Sequence, residues 1–174
     1  MRRLTYAIAA AGAVLAADTS TAIVTCNPTD CPPPPPTTIV AIDCSGAALS
    51  QGVIWPPNHT MVPLTIVGVT SDSSYMPVTI AINGIYQDEP VNALGSGNTA
   101  PDGSGVGTST AYVRAERAGP GTGRIYFITF TATDSGGNQC TAPMPLQAIV
   151  PHDQSQPLAP VDTGLRYDST VVPP

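Results

Sequence analysis

The chain holds two histidines, His59 and His152, twelve carboxylates, four cysteines and one tryptophan. Carboxylate oxygens are hard ligands for calcium, and imidazole suits zinc or nickel. Glu89, Glu116 and Asp153, with His59 and His152 beside them, are therefore the candidates for a cation site, calcium first. Local spacing does not gather them: Asn58-His59, Asp88-Glu89, Glu116-Arg117 and His152-Asp153 are scattered along the sequence. Only a fold can bring them together. The stretch Asp134 to Asn138 (DSGGN) offers too few oxygens for a calcium loop, so Asp134 is expected to cap its own turn, with Asp72 as a weak companion. Trp55 has a face that could stack on a sugar, or else pack at one end of a core. Asn58-His59-Thr60 has the form of a glycosylation sequon, a short pattern that carries little alone.

Motifs for catalysis are missing. The sequence has no G-x-S-x-G elbow, no H-E-x-x-H and no Gly-rich loop between a strand and a helix. No motif sets a serine beside either histidine. The expectation is a protein without enzymatic activity and without a cofactor other than the calcium considered above.

The elements that must position these residues read as strands. In Arg124 to Thr133, Ile125, Phe127, Thr129 and Thr131 alternate with Tyr126, Ile128, Phe130 and Ala132, the period of two that a strand requires. Apolar side chains on both faces make this strand central in its sheet. Asp134 through Asn138 then forms a tight turn. Further strands are expected at Ile39–Cys44, Met61–Thr70, Val78–Tyr86, Thr110–Glu116 and Gln139–Val150. Pro143 and Pro145 put the last at a sheet edge or force a bulge. Trp55-Pro56-Pro57-Asn58-His59 reads as a rigid turn, and 87–108 as a long polar loop. Strands at this spacing predict an all-β, immunoglobulin-like sandwich of about seven strands, of the fibronectin III kind, with extended N- and C-terminal segments.

Composition agrees. Charged residues are 10% of 174, while 20 prolines and 16 glycines favour short strands and turns over helices. A net charge of −6, with no lysine, offers no basic patch for nucleic acid. Arg2 and Arg3 precede an apolar run from Leu4 to Ala17, the layout of a secretory signal peptide over residues 1–22. That run is short for a membrane span, so none is expected once the signal is removed, although a signal anchor is the alternative. Residues 23–38 form a Cys/Pro-rich linker whose five prolines, Pro32 to Pro36, make a semi-rigid spacer. Residues 39–154 form the domain and 155–174 a Pro-rich tail with no evident part in the core. Export favours disulfides. Four cysteines allow three pairings. Cys26 and Cys31 are close enough to close a small loop, and Cys44 and Cys140 would then pair across the domain. A metal site on Cys26 and Cys31 lacks further ligands nearby.

The stretches WPPNHTMVPLTI, DEPVNALGSGNTAPDG, VRAERAGPGTGRIYFITFTATDSGGN and VPHDQ, in this order, resemble an Ig-like domain common in secreted and surface proteins of bacteria. ATDSGGNQC is also similar to the hyalin-repeat (HYR) family of extracellular sandwiches. The likeness covers roughly residues 39–154. It implies an extracellular adhesive or structural module, and a bridge from Cys44 to Cys140. This chain departs from the pattern in holding one copy rather than an array, between proline-rich extensions.

In such a strand order the turn after the first strand, the end of the third, the turn between fifth and sixth and the end of the last collect at one pole. That pole would gather His59, Glu89, Glu116, His152 and Asp153. Either they bind a cation, as in cadherin-like domains, or they close the open end of the sandwich. In the second case Arg114 or Arg117 pairs with Glu89 or Asp153, and the histidines bond to carbonyls. The function expected is a secreted or cell-surface structural or adhesive module. Two alternatives stand beside it. One is a filament subunit assembled by strand exchange through β-capable stretches at Thr21–Cys26 and Asp168–Val172. The other is a carbohydrate- or calcium-binding module, with Trp55 as the stacking residue. Expected partners are other surface proteins, copies of the chain itself, or a glycan.

Overall fold

The computed structural model describes residues 42–71, 77–92, 94–154 and 160–173. The signal segment, the proline run, Cys26, Cys31 and Asp72 lie outside them. The described residues are all strand, turn and loop, without a helix. Their core is built where two antiparallel sheets meet face to face, as in a β-sandwich.

The larger sheet centres on β8 (Gly123–Thr133), flanked by β10 (Leu146–Pro151) and β5 (Thr79–Gln87). The second sheet runs in the order β2 (Ala48–Leu49), β3 (Met61–Val67), β7 (Thr110–Arg114), β6 (Gly103–Ser104). Tyr126, Ile128, Phe130 and Ala132 of β8, with Ile82 and Ile85 of β5, pack against Leu64, Ala111 and Val113 of the second sheet. Alternation along β8 thus sends one set of side chains inward, as a strand's period requires. β8 is central, with neighbours on both sides. A third pair, β1 (Ile42–Asp43) with β4 (Thr70–Ser71), lies beside them. Cys44 follows β1 and bonds to Cys140 in β9 (Gln139–Cys140), itself paired to β8.

Two expected strands are each split, for different reasons. Gly68 has φ +79° and a Cβ there would sit 2.1 Å from the Gly46 carbonyl oxygen, so the chain turns between β3 and β4. In the other, Pro143 and Pro145 stand between β9 and β10 and donate nothing to a ladder. The expected long loop at 87–108 contains β6. A second glycine explains a bulge in β5 between Ile82 and Gly84: a Cβ at Gly84 would lie 2.7 Å from the Tyr86 ring.

Each open side of the sandwich is bridged. On one side the chain leaves β2 and crosses to β10, where Ile54 N donates to Ile149 O at 2.8 Å and Ile149 N to Gly52 O at 2.9 Å. On the other side lies the segment expected to have no part in the core. Residues 160–170 form a strap over the larger sheet. Pro160 is buried beside Gly123, Val161 N donates to Thr122 Oγ1, and the Arg166 guanidinium lies 3.5 Å over the Phe127 ring. The strap ends in β11 (Tyr167–Asp168), which pairs with Gln87 and Tyr86 of β5. That cover accounts for Phe127, a buried aromatic in the opposite phase to the core residues of β8.

Candidate functional site

Arg124 enters β8 in the inward phase of Tyr126, so its charge is carried into the end of the core. It is completely buried. Three carboxylates meet it there from the ends of strands in both sheets. Arg124 Nε donates to Glu89 Oε2 at 2.9 Å, just beyond β5, and Nη1 to Asp102 Oδ2 at 2.8 Å, just ahead of β6. Glu116, beyond β7, stands with Oε1 3.6 Å from Nη2, an ion pair without a hydrogen bond. Nη1 also donates to Tyr126 Oη, whose hydroxyl donates to Arg114 O.

An outer ring of hydrogen bonds holds the acids. Gln87 Nε2 donates to Asp102 Oδ2 and to Glu89 O, both at 2.9 Å. Ala118 N donates to Glu89 Oε2, and Ile125 N to Asp88 Oδ1. Glu116 Oε2 takes His59 Nδ1 at 3.0 Å and the Thr99 hydroxyl. Arg114 donates to the carbonyls of His59 and Pro101, and its Nε faces Asp102 Oδ1 at 3.5 Å.

Burial sets the titration here. It pushes the Asp102 carboxyl above the ordinary aspartate value, against the Gln87 hydrogen bond and the charge of Arg124. It raises Asp88 likewise, helped by the neighbouring charge of Glu89. Tyr126 is pushed well above a usual tyrosine, again by burial. For Arg124, burial opposes the cation, but Tyr126 and the Asp102 and Glu89 carboxylates outweigh it and raise its pKa. The guanidinium is therefore a fixed charge beside Asp102, an acid that burial makes costly to ionise.

The pole does collect the expected residues, though not as one site. His59 and Glu116 meet, and Glu89 lies across Arg124 from Glu116. His152 and Asp153 stay at the surface: His152 Nδ1 is 3.2 Å from Asp153 Oδ2 and Nε2 is 3.3 Å from Gly119 O. Among the described residues no three His, Cys, Asp or Glu side chains are grouped to hold a metal ion. The physical reason is Arg124, whose cation fills the space between Glu89 and Glu116. The expected partner cations also change. Arg117 donates to the carbonyls of His152 and Ala118, and Glu89 pairs with Arg124.

Arg124, Asp102, Gln87 and Tyr126 were missed as members of this cluster. One signal was present for Arg124, which falls in phase with Tyr126, Ile128 and Phe130. Asp102 sits in a Pro-Asp-Gly stretch that reads only as a turn.

At the opposite pole, Asp134 Oδ1 accepts from Gly136 N and Asn138 N, and Oδ2 from Asn138 Nδ2. These bonds, the Asn138 side chain first, hold its carboxyl below the ordinary value. Asn58 Oδ1 accepts from Thr60 N and the Thr60 hydroxyl, a small turn of its own. Trp55 is 40% exposed, so it is not a core residue. A cavity of about 200 Å³ opens where the chain bulges between β9 and β10, lined by Asn83, Thr129, Pro143 and Met144 among others. No family model, no curated protein and no solved structure matches the chain.

Proposed function

We propose that the chain is a secreted or cell-surface module of immunoglobulin-like fold that serves a structural or adhesive role without catalysis. The observation that carries this reading is the Cys44–Cys140 disulfide, which ties together residues 96 positions apart in the sequence. Such bridges persist in oxidising compartments, and they make a fold resist extension.

Two further features support the reading. The sheet orders β2-β3-β7-β6 and β10-β8-β5 correspond to the ABED and GFC sheets of a constant-type immunoglobulin domain. Arg124, Glu89, Asp102 and Glu116 at the charged pole are turned on one another, where they fasten the two sheets. Surface labelling of intact producing cells, with thiol titration of the recovered protein, tests the proposal. Labelled protein with Cys44 and Cys140 oxidised is the expected result. A protein held inside the cell with both thiols free would defeat it.

A further inference from the structure

Ser169 is the buried end of the strap. Its N–H donates to Ile85 O of β5 at 3.0 Å, and its carbonyl accepts from Asp102 N at 2.9 Å and Gly103 N at 2.7 Å, beside and within β6. One residue therefore joins the edges of both sheets. Recognition is by backbone and by size. The Ser169 hydroxyl has no hydrogen-bond partner among the described residues, and a Cβ at Gly103 would stand 2.8 Å from the Ser169 Cβ. The groove therefore accepts an extended backbone with a small side chain opposite Gly103.

From these contacts we propose that this groove is an acceptor site for the same strap of a second copy, so that copies of the chain link by exchanging residues 160–173. Three observations carry it. Without the strap, Ile85, Tyr86 and Gln87 present an open strand edge, which recruits another strand. The strap lies outside the loop that the Cys44–Cys140 bridge closes, so it leaves its groove with that bridge intact. It also leaves Val161, Leu165, Val171 and Val172 exposed within fourteen residues, a density of apolar surface that suits a contact between copies. The partner's strap makes the same bonds as the chain's own, so exchange changes connectivity and not contacts. The idea rests on strap geometry alone, and its failure would leave the surface-module reading untouched.

The test is complementation between two full-length variants. Ser169→Trp spoils the strap but keeps the groove; Gly103→Val spoils the groove but keeps the strap. Each alone should be a monomer by light scattering, and the mixture should form a one-to-one heterodimer. A synthetic peptide of residues 160–174 should raise the melting temperature of S169W and leave that of G103V unchanged. Should either variant fail to fold, the wild-type chain refolded dilute and concentrated decides instead: multimers appearing with concentration support exchange. A mixture that stays monomeric, a peptide without effect on folded S169W, or wild type that is monomeric at every concentration would each overturn it.

Discussion

Arg124 on β8 and Asp102 ahead of β6 meet at 2.8 Å with neither side chain exposed, an ion pair that joins the two sheets from inside. A buried pair of this kind is not a bonus to stability relative to apolar packing. Removing one partner, however, strands the other's charge. Here one cation serves three acids. Arg124→Met should therefore cost about 3–5 kcal/mol in denaturant unfolding, because Glu89, Asp102 and Glu116 lose their shared counter-charge. Arg117→Ala, which loses only hydrogen bonds to carbonyls near the surface, should cost no more than about 1 kcal/mol. Equal effects would show that the cluster is not what fastens this pole.

The same acids give stability an unusual dependence on pH. Asp88 and Asp102 have folded-state pKa values raised by burial above the unfolded value of 3.8. Their contribution is greatest below that value and is lost as pH rises through the folded pKa values. Asp43, Asp134 and Asp162 are shifted the other way, each held down by hydrogen bonds to its ionised form. Their contribution is present above 3.8 and is lost as pH falls through their lower folded values. Melting temperature should therefore rise as the pH drops from neutral toward the ordinary aspartate value of 3.8 and fall again below it. A steady decline from pH 7 downward would contradict the assignment of Asp88 and Asp102 as costly buried acids.

Metal titration separates a cation site from a closed ionic cluster. Calcium and zinc added to chelated protein should leave the melting temperature unchanged, because the Arg124 guanidinium already stands between Glu89 and Glu116. A rise with calcium, abolished by Glu116→Gln, would return those residues and Asp153 to the role of ligands.

The strands were legible because two-residue alternation is a local property, plain from Ile125 to Ala132. The pairing of Cys44 with Cys140 was legible only through the resemblance of ATDSGGNQC to the hyalin-repeat family, which implied that bridge, since four cysteines alone leave three pairings open. Arg124 was harder to read, since an arginine at a strand's start is usually a solvated end. Its burial depends on acids supplied by three distant segments, and no local pattern encodes that convergence. The strap was hidden for a related reason. Tyr167 to Ser169 are held by backbone bonds to β5 and β6, and backbone bonding leaves little trace in side-chain pattern. Composition marked 155–174 as a tail, while one small residue, Ser169, locks it into the sandwich.

The account turns on a covalent tie that shields most of the domain from load. In chain-entropy terms a loop of this size adds about 4–5 kcal/mol. The direct measurement is single-molecule extension of the chain held by its two ends, oxidised and then reduced. Ninety-six residue steps lie between Cys44 and Cys140, so reduction should release about 330 Å of additional contour length. The oxidised chain should yield only the segments outside the bridge, the strap and β10 among them. An extension that is the same before and after reduction would contradict the account.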